Sequence, residues 1–164
     1  MKYKPYLIKD VLDGEAQEKF RVISTFAGGG GSSTGYRLAG GKILAINEFV
    51  EEARNTYKDN YPNTPILDGD IKELDGKDFL EIANIKEGEL ELLDGSPPCS
   101  AFSMCGTLAR EGTVHSDGFG KTKSYSDGKI VTNIEDLFFE FLRVADKIRP
   151  KTIIAENVEG LTVG

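Results

Sequence analysis

The sequence predicts a doubly wound α/β fold with a mostly parallel sheet of about five strands. Three observations support this prediction. Segments typical of strands alternate with segments typical of helices along most of the chain. Four consecutive glycines follow the first strand, at the point where a helix begins. Acidic or cysteine-bearing turns follow several strands, at the edge where α/β proteins carry their ligand sites.

The first unit is a strand, a glycine turn, a helix and a second strand. β-Branched and aromatic residues predict a strand over 20–26, and the glycines at 28–31 allow a ligand to approach the backbone closely. A helix over about 34–39 would point its amino-terminal N–H groups at that ligand. The second strand, 42–48, ends on Glu48, roughly 20 residues past the glycines, as in ribose-binding βαβ units. This combination favours a nucleoside-cofactor site over a purely structural turn.

The next elements continue the alternation. We predict a helix over 49–60, a short strand over 65–67, a helix over 76–86 and a strand over 90–94. Asp70 follows the short strand, where it is either a turn residue or a contact to a cofactor base.

Pro97, Pro98 and Cys99 follow the fourth strand. Two prolines fix φ and remove two backbone donors, so the strand stops in a stiff, extended turn with the cysteine mounted on it. The alternative is a small residue filling a loop, since an unpaired cysteine is usually a buried apolar residue. Residues 103–131 are rich in Gly, Ser and Lys without periodicity, which is typical of a functional or disordered segment.

The strongest helix signal lies over 134–148. Thr132 and Glu135 fit a capping box, the apolar residues form a broad stripe that we assign to the core, and Pro150 ends the helix. Residues 152–155 then predict a buried strand that carries Glu156, a residue that is either helix-capping or catalytic.

The composition is that of an ordinary soluble domain, with 39% hydrophobic and 29% charged residues. No apolar run is long enough to cross a bilayer and no signal-type segment follows the first residues, so we expect a cytoplasmic protein. Cys99 and Cys105 share one loop, which favours neither a disulfide framework nor a zinc site, and we expect no bound metal. We interpret His115, the single histidine, as a solvated loop residue.

The net charge of −7 argues against strong nonspecific binding of nucleic acid by this chain alone. It does not exclude nucleic acid as a substrate. A basic set follows the proline turn, and it fits phosphate contact and solvation of a loop equally well. Its members are Arg110, Lys121, Lys123 and Lys129.

With these residues in place, the chain resembles the amino-terminal half of a DNA cytosine-5 methyltransferase catalytic domain. Four motifs spread over residues 20–160 occur in that family's order and spacing, and one departure is Ser100, where Gln is commoner. The matching segments are Phe26-Ala27-Gly28-Gly29-Gly30, Asn47-Glu48-Phe49 with Gly69-Asp70-Ile71, Pro97-Pro98-Cys99, and Glu156-Asn157-Val158.

The resemblance implies a Rossmann-like class I methyltransferase fold, cut after about five strands, that binds S-adenosylmethionine and releases S-adenosylhomocysteine. It implies three catalytic residues: Cys99, Glu156 and Asn157. We assign the following to the cofactor: Phe26, Ala27, Gly28, Gly29, Gly30, Glu48, Phe49, Asp70, Ile71, Pro97 and Leu137.

The implied reaction fits these residue types. A thiolate from Cys99 adding to C6 of cytosine would activate C5 towards the methyl donor. Glu156, kept protonated by burial, would stabilise the charge that develops at N3. The target base must be flipped out of the duplex to reach the thiolate, and the segment 103–131 is the candidate loop that closes over the DNA.

We divide the chain into an N-terminal arm, 1–19, and a partial methyltransferase catalytic domain, 20–164. The resemblance places a later arginine motif, a target-recognition domain and the closing strands beyond Gly164. We therefore expect the chain alone to methylate DNA weakly or not at all. The expected partners are double-stranded DNA, as in a prokaryotic or phage nucleoid, and a complementary chain or carboxyl-terminal half, with no membrane partner.

Three other functions fit part of the pattern. An amino-methyltransferase uses a similar Ser-Pro-Pro turn, but Cys99 offers no ring to stack on a flipped base. A tRNA cytosine-5 methyltransferase shares the Pro-Pro-Cys and Glu-Asn-Val patterns. A half-domain that binds cofactor or a second chain without turnover is the non-enzymatic alternative.

Overall fold

The computed structural model describes residues 5–98, 123–124, 130–131 and 136–157 of the 164-residue chain. Five helices and seven strands lie in these ranges. In chain order they are α1 (Ile8–Glu15), β1 (Phe20–Thr25), α2 (Gly31–Leu38), β2 (Gly41–Glu48), α3 (Glu51–Asn60), β3 (Ile66–Asp68), α4 (Gly76–Ile82), β4 (Leu92–Gly95), β5 (Lys123–Ser124), β6 (Ile130–Val131), α5 (Asp136–Ile148) and β7 (Thr152–Ala155).

Five strands form one sheet in the order β3-β2-β1-β4-β7, and every pairing in it is parallel. The order reverses between β1 and β4, so the carboxyl ends of these strands flank the topological switch point, where open α/β sheets bind ligands. The predicted fold class is confirmed. The short strands β5 and β6 pair antiparallel and lie inside the segment predicted to be a loop.

Helices pack on both faces of the sheet because neighbouring strand residues point in opposite directions. Val22 faces one apolar cluster and Ile23 the other, and both are fully buried. The first cluster includes residues of α1 and α3: Val11, Tyr57 and, just after α3, Tyr61. The second includes residues of α4 and α5: Phe79, Leu137, Phe141, Val144, Ala145 and Ile148.

A β-bulge interrupts the pairing of β1 with β2. Val22 pairs with Ile43 and Ile23 pairs with Ala45, so Leu44 is the extra residue in β2. A bulge shifts register and increases the local twist. After it, Thr25 pairs with Asn47 at the carboxyl edge, next to the glycine turn.

Part of the predicted N-terminal arm is helix α1, which packs against α2. A Cβ on Gly14 would lie 2.2 Å from the carbonyl oxygen of Arg37, so only glycine allows this crossing. Glu15 and Arg37 form an ion pair of 3.1 Å. The Arg37 guanidinium is fully buried and lies 3.8 Å from the centre of the Tyr61 ring, which stabilises the cation further. Residues 8–15 are therefore an integral part of the packed domain.

Two predicted elements differ in detail from the structure. Helix α3 begins at Glu51, so Phe49 precedes it rather than sharing a helical face with Tyr57. Strand β7 was predicted to be buried, but all four of its residues are exposed in the described part of the chain, with Ile153 at 44% and Ile154 at 42%. The prediction was wrong because β7 is the terminal strand of the sheet, which an apolar run cannot reveal.

The predicted capping box at Thr132 and most of the segment 103–131 lie outside the described residues. Over the described ranges, every helix is too short or too polar to cross a lipid bilayer.

Candidate functional site

A cleft of about 290 Å³ lies at the carboxyl edge of the sheet. Its walls come from the segments that follow β1, β2, β3 and β4, together with one residue of α5. The lining residues are Phe26, Gly28, Asn47, Glu48, Phe49, Val50, Ala53, Asp70, Ile71, Ser96, Pro98 and Leu137. The cleft is thus assembled from four separate βα connections at the topological switch point.

The glycine turn after β1 uses left-handed backbone at three positions: Phe26 (φ 52°), Gly28 (φ 55°) and Gly30 (φ 96°). Such a φ is unusual for phenylalanine and is typical of functional turns. No atom lies within 4 Å of a Cβ built on Gly28, so this glycine leaves open space in the cleft. A Cβ on Gly30 would lie 3.0–3.1 Å from the rings of Tyr57 and Tyr61, so Gly30 allows close packing instead.

The carboxylate of Glu48 holds the turn in place. Its two oxygens accept hydrogen bonds from the backbone N–H groups of Gly28 (2.8 Å) and Val50 (2.7 Å). Only 8% of Glu48 is exposed. One side chain therefore joins the end of β1 to the end of β2. An ionised carboxylate has about four acceptor positions, so two remain for a ligand that brings hydroxyl groups.

Two polar side chains fix the ends of β2 and β3. The Asn47 amide donates to the carbonyl oxygens of Leu67 (2.9 Å) and Gly69 (3.1 Å). Arg54 donates to the carbonyl oxygens of Glu48 and Phe49 and forms an ion pair of 2.9 Å with Asp68. These contacts hold the backbone around the Glu48 carboxylate.

Asp70 and Ile71, in the loop after β3, line the cleft. Leu137, on α5, lines it as well. Asp70 Oδ1 accepts the N–H of Lys72 at 3.0 Å, so it is also the turn residue that the sequence allowed. Arg143, on α5, donates to the carbonyl oxygens of Ile71 and Leu74, both at 2.8 Å. This guanidinium fastens the loop to α5.

The chain that follows β4 lies against the glycine turn. Ser96 Oγ donates to the carbonyl oxygen of Phe26 at 3.4 Å, and Pro98 lines the cleft. The Asn157 amide donates to the carbonyl oxygen of Pro97 at 3.3 Å, which joins this chain to the segment after β7. The predicted nucleophile Cys99 lies just outside the described residues.

Glu156 follows β7, next to the end of β4. Its backbone N–H donates to the carbonyl oxygen of Gly95 at 2.9 Å and extends the parallel ladder by one rung. Its side chain is exposed in the described part of the chain. The burial on which its implied role as a protonated acid depends is therefore not present in this structure, because Glu156 follows the terminal strand of the sheet.

The structure brings seven of the predicted cofactor residues to the cleft wall: Phe26, Gly28, Glu48, Phe49, Asp70, Ile71 and Leu137. Ala27, Gly29, Gly30 and Pro97 adjoin lining residues in the sequence but are not part of the lining. Glu156 and Asn157 are not part of it either, and they contact the segment after β4 through hydrogen bonds to Gly95 and Pro97.

Five lining residues are not among the predicted cofactor residues: Asn47, Val50, Ala53, Ser96 and Pro98. Val50 and Ala53 lie at the N-cap and in the first turn of α3. They follow Glu48 closely in the sequence, and this proximity is the signal that could have identified them. Ser96 and Pro98 flank the predicted Pro97 directly.

Comparison with known proteins places this cleft in a family. The family model for C-5 cytosine-specific DNA methylases matches residues 20–163. The chain is 31% identical over 141 residues to the type II methyltransferase M.NgoPII of Neisseria gonorrhoeae, covering 86% of this chain and 34% of that protein. It is 33% identical over 141 residues to the type II methyltransferase M.AquIA of Picosynechococcus, covering 86% of this chain and 49% of that protein.

A solved structure from Escherichia coli, described as a prophage-encoded DNA modification methyltransferase, shares the fold. Its TM-score is 0.63 at 23% identity, and the match covers 87% of this chain and 33% of that one. The chain spans about a third to a half of the length of these relatives. The family match extends from the first strand of the sheet past the last one and includes every residue of the cleft wall. The chain therefore belongs to the C-5 cytosine-specific DNA methylase family.

Proposed function

We propose that this chain binds S-adenosylmethionine in the carboxyl-edge cleft and takes part in transferring its methyl group to C5 of cytosine in DNA. The observation that carries the proposal is the cleft itself, in which Gly28, Glu48 and Phe49 meet at the switch point of a parallel sheet. The family of the chain supports the choice of reaction.

The residues of the cleft fit this cofactor. Glu48 has acceptor capacity left for the two ribose hydroxyls, and the open space at Gly28 leaves the backbone accessible. Phe49, Ile71 and Leu137 supply an apolar surface for the adenine ring, and Asp70 supplies a carboxylate for its exocyclic amine. The volume of about 290 Å³ lies near the lower end of the range for small-molecule sites.

We infer roles for the remaining predicted residues of this set from their places in the chain. Ala27, Gly29 and Gly30 complete the turn that shapes one wall, and Gly29 and Gly30 do so by packing against α3. Pro97 keeps the following chain extended, and the Asn157 amide holds its carbonyl group. Asn157 thus acts as a positioning residue for the turn that carries Cys99.

When bound, S-adenosylmethionine supplies an electrophilic methyl group on a sulfonium. The chain supplies the nucleophile. The Cys99 thiolate adds to C6 of a flipped cytosine, and the electron pair moves towards N3 while C5 becomes nucleophilic. The Glu156 carboxyl donates a proton or a hydrogen bond to N3. After methylation a base or a water molecule takes the C5 proton, the C5=C6 double bond forms again, and the bond between C6 and the Cys99 sulfur breaks to release the thiolate. Because Glu156 is exposed in this structure, we infer that the substrate base itself covers it.

We retain residues 20–164 as the catalytic segment and 1–19 as the N-terminal segment, whose helix α1 packs against α2 of the catalytic segment. The bacterial type II methyltransferases similar to this chain favour a cytoplasmic protein that acts on double-stranded DNA. We expect full turnover to need a complementary chain or further residues, such as those that make up the rest of its relatives.

Covalent trapping tests this proposal. A duplex containing 5-fluorocytosine cannot lose a proton at C5, so the reaction stops at the Cys99 adduct. We expect a denaturation-resistant adduct that requires S-adenosylmethionine, disappears in Cys99→Ser and persists in the matched control Cys105→Ser.

Two other outcomes would redirect the proposal. An adduct with 5-fluorocytosine-containing tRNA but not with DNA would contradict DNA as the substrate. No adduct with either nucleic acid, together with retained binding of S-adenosylhomocysteine, would contradict a part in methyl transfer and favour a half-domain that binds the cofactor without turnover.

A further inference from the structure

A buried carboxyl lies behind the cleft and contributes nothing to its wall. Asp94, on β4, is only 5% exposed. Its Oδ2 accepts a hydrogen bond from Ser24 Oγ at 2.8 Å, and its Oδ1 accepts one from the Tyr36 hydroxyl at 2.9 Å. Both of these donors are neutral, so the charge is stabilised by hydroxyl groups rather than by an ion pair.

The partners of Asp94 come from the two ends of the glycine turn. Ser24, on β1, lies two residues before Phe26, where the turn begins. Tyr36 is on α2, the helix that starts directly after the turn. Asp94 itself lies four residues before Pro98, at the start of the chain that leads to Cys99. One carboxyl therefore joins the strand entering the cofactor turn, the helix leaving it and the strand that carries the nucleophile.

Further hydrogen bonds tighten the same junction. Thr25 Oγ1 donates to the carbonyl oxygen of Asp94 at 3.1 Å, and Ser24 and Thr25 are fully buried. Ser96 Oγ donates to the carbonyl oxygen of Phe26 at 3.4 Å. Of these contacts, only the Tyr36 hydrogen bond reaches from β4 to helix α2.

Stability alone does not explain an acid at this position. Removing a carboxylate from water is costly, and burial raises the pKa of Asp94, with the nearby negative charge of Glu156 adding to the effect. A well-packed apolar residue at such a position is often as stable or more so. The Asp94 carboxyl instead fixes the positions of β1, α2 and β4 relative to one another.

We propose that Asp94 is a positioning residue that fixes helix α2 and the cofactor turn relative to the chain carrying Cys99. Asp94 is not part of the cleft lining, yet its loss would disturb both the cleft and the chain that leads to Cys99. This inference rests on the proposed function, since it presupposes that the cleft binds S-adenosylmethionine and that Cys99 is the nucleophile.

The test combines two readouts in the full chain. The first is the affinity for S-adenosylhomocysteine. The second is the rate at which iodoacetamide alkylates Cys99 with and without that ligand. All proteins carry Cys105→Ser, because no lysine or arginine separates the two cysteines for tryptic mapping. The variants are Asp94→Ala, Asp94→Asn, Tyr36→Phe and Ser24→Ala.

We expect Asp94→Ala to weaken ligand binding about tenfold and to abolish the ligand's effect on Cys99 alkylation, because both hydroxyl partners are lost. Asp94→Asn should stay close to the parent, since an amide can accept one hydrogen bond and donate the other. Tyr36→Phe should show a smaller defect of the same kind and is the decisive variant if Asp94→Ala does not fold. Ser24→Ala, which keeps the contact to α2, should be the mildest.

Unchanged affinity and unchanged alkylation in folded Asp94→Ala and Tyr36→Phe would overturn the inference and leave Asp94 with a role in stability alone. If the parent protein binds no S-adenosylhomocysteine, the proposed function fails and the inference fails with it. The affinity of the parent protein for S-adenosylhomocysteine thus tests the proposed function. The differences among the variants test the role of Asp94.

Discussion

Glu91, at the amino edge of the parallel sheet, is held differently from Asp94 and Glu48, at its carboxyl edge. At the amino edge, Glu91 is paired with two cations, Arg21 and Lys151, each at 2.8 Å. At the carboxyl edge, Asp94 and Glu48 are held by neutral hydroxyls and backbone N–H groups. The pKa values follow this difference. The Arg21 hydrogen bond lowers the pKa of Glu91 to about 2, whereas burial raises the pKa of Asp94.

This difference separates an acid that contributes to stability, Glu91, from one that is placed to bind a ligand, Glu48. An acid neutralised by flanking cations has little capacity left for a ligand. An acid held only by hydroxyl groups and backbone N–H groups can use its remaining acceptor positions to bind a ligand, or can fix the geometry around a cleft. The left-handed Phe26 backbone lies at the same carboxyl edge, where strain of this kind is typical of functional sites.

The largest expected effect on stability comes from adding a side chain at Gly95, which is closely packed at the carboxyl edge. A Cβ on Gly95 would lie 2.6 Å from a ring carbon of Phe141 and 2.7 Å from Thr25 Oγ1. Both of these residues are fully buried, so neither can move away cheaply. We expect Gly95→Ala to lower the free energy of unfolding by about 3 kcal/mol, measured by urea denaturation.

Gly35→Ala is the matched control for this change. Gly35 lies within α2 and has no atom within 4 Å of the added Cβ, so alanine should raise the stability by roughly 0.5–1 kcal/mol through helix propensity. Equal effects of the two substitutions would show that packing at Gly95 is looser than its geometry implies.

The second prediction concerns the sign of the pH dependence at Asp94. Because its pKa is raised from the ordinary value of 3.8, its charged form is less stable in the folded protein. The stability contributed by the neutral form of Asp94 is fully present below pH 3.8, the ordinary pKa. It is lost as the pH rises through the higher pKa of the folded protein. Asp94→Asn should therefore gain stability relative to the wild type as the pH rises from 4 to 8, because the amide cannot ionise. Thermal unfolding of the two proteins between pH 4 and pH 8 measures this, and a constant difference would contradict it.

The third and smallest effect belongs to the amino edge and has the opposite sign. The pKa of Glu91 is lowered from 4.5 to about 2, so its stabilising effect is present above 4.5 and is lost as the pH falls through 2. The pairs are partly exposed, so we expect Glu91→Gln to cost only about 0.5 kcal/mol at neutral pH. Denaturation curves at pH 7 and pH 2.5 should show that the difference in free energy of unfolding between the wild type and Glu91→Gln becomes smaller in acid. A difference that becomes larger in acid would contradict the contrast between Glu91 and Asp94.

Sequence reasoning recovered the elements that depend on local patterns. The strands of the main sheet, the glycine turn and the acid at position 48 all follow from composition and spacing within a few dozen residues. Most of the cleft wall follows from them, because the carboxyl ends of parallel strands meet at one edge.

The remainder depends on contacts between distant parts of the chain. Ser24 and Asp94 are 70 residues apart, and nothing in the local pattern around either one indicates that they meet. The exposure of β7 depends on its place at the end of the sheet. The packing of Gly14 on Arg37 likewise depends on how two helices cross.

Calorimetric titration with S-adenosylhomocysteine tests the contrast between the edges most directly. We expect saturable binding by the wild-type chain. We expect a loss of roughly tenfold or more in Glu48→Gln, in which one acceptor of a backbone N–H becomes a donor. Glu91→Gln, at the opposite edge, should bind like the wild type. Equal binding by Glu48→Gln and the wild type, or an equal loss in both variants, would contradict the placement of the cofactor at the carboxyl edge.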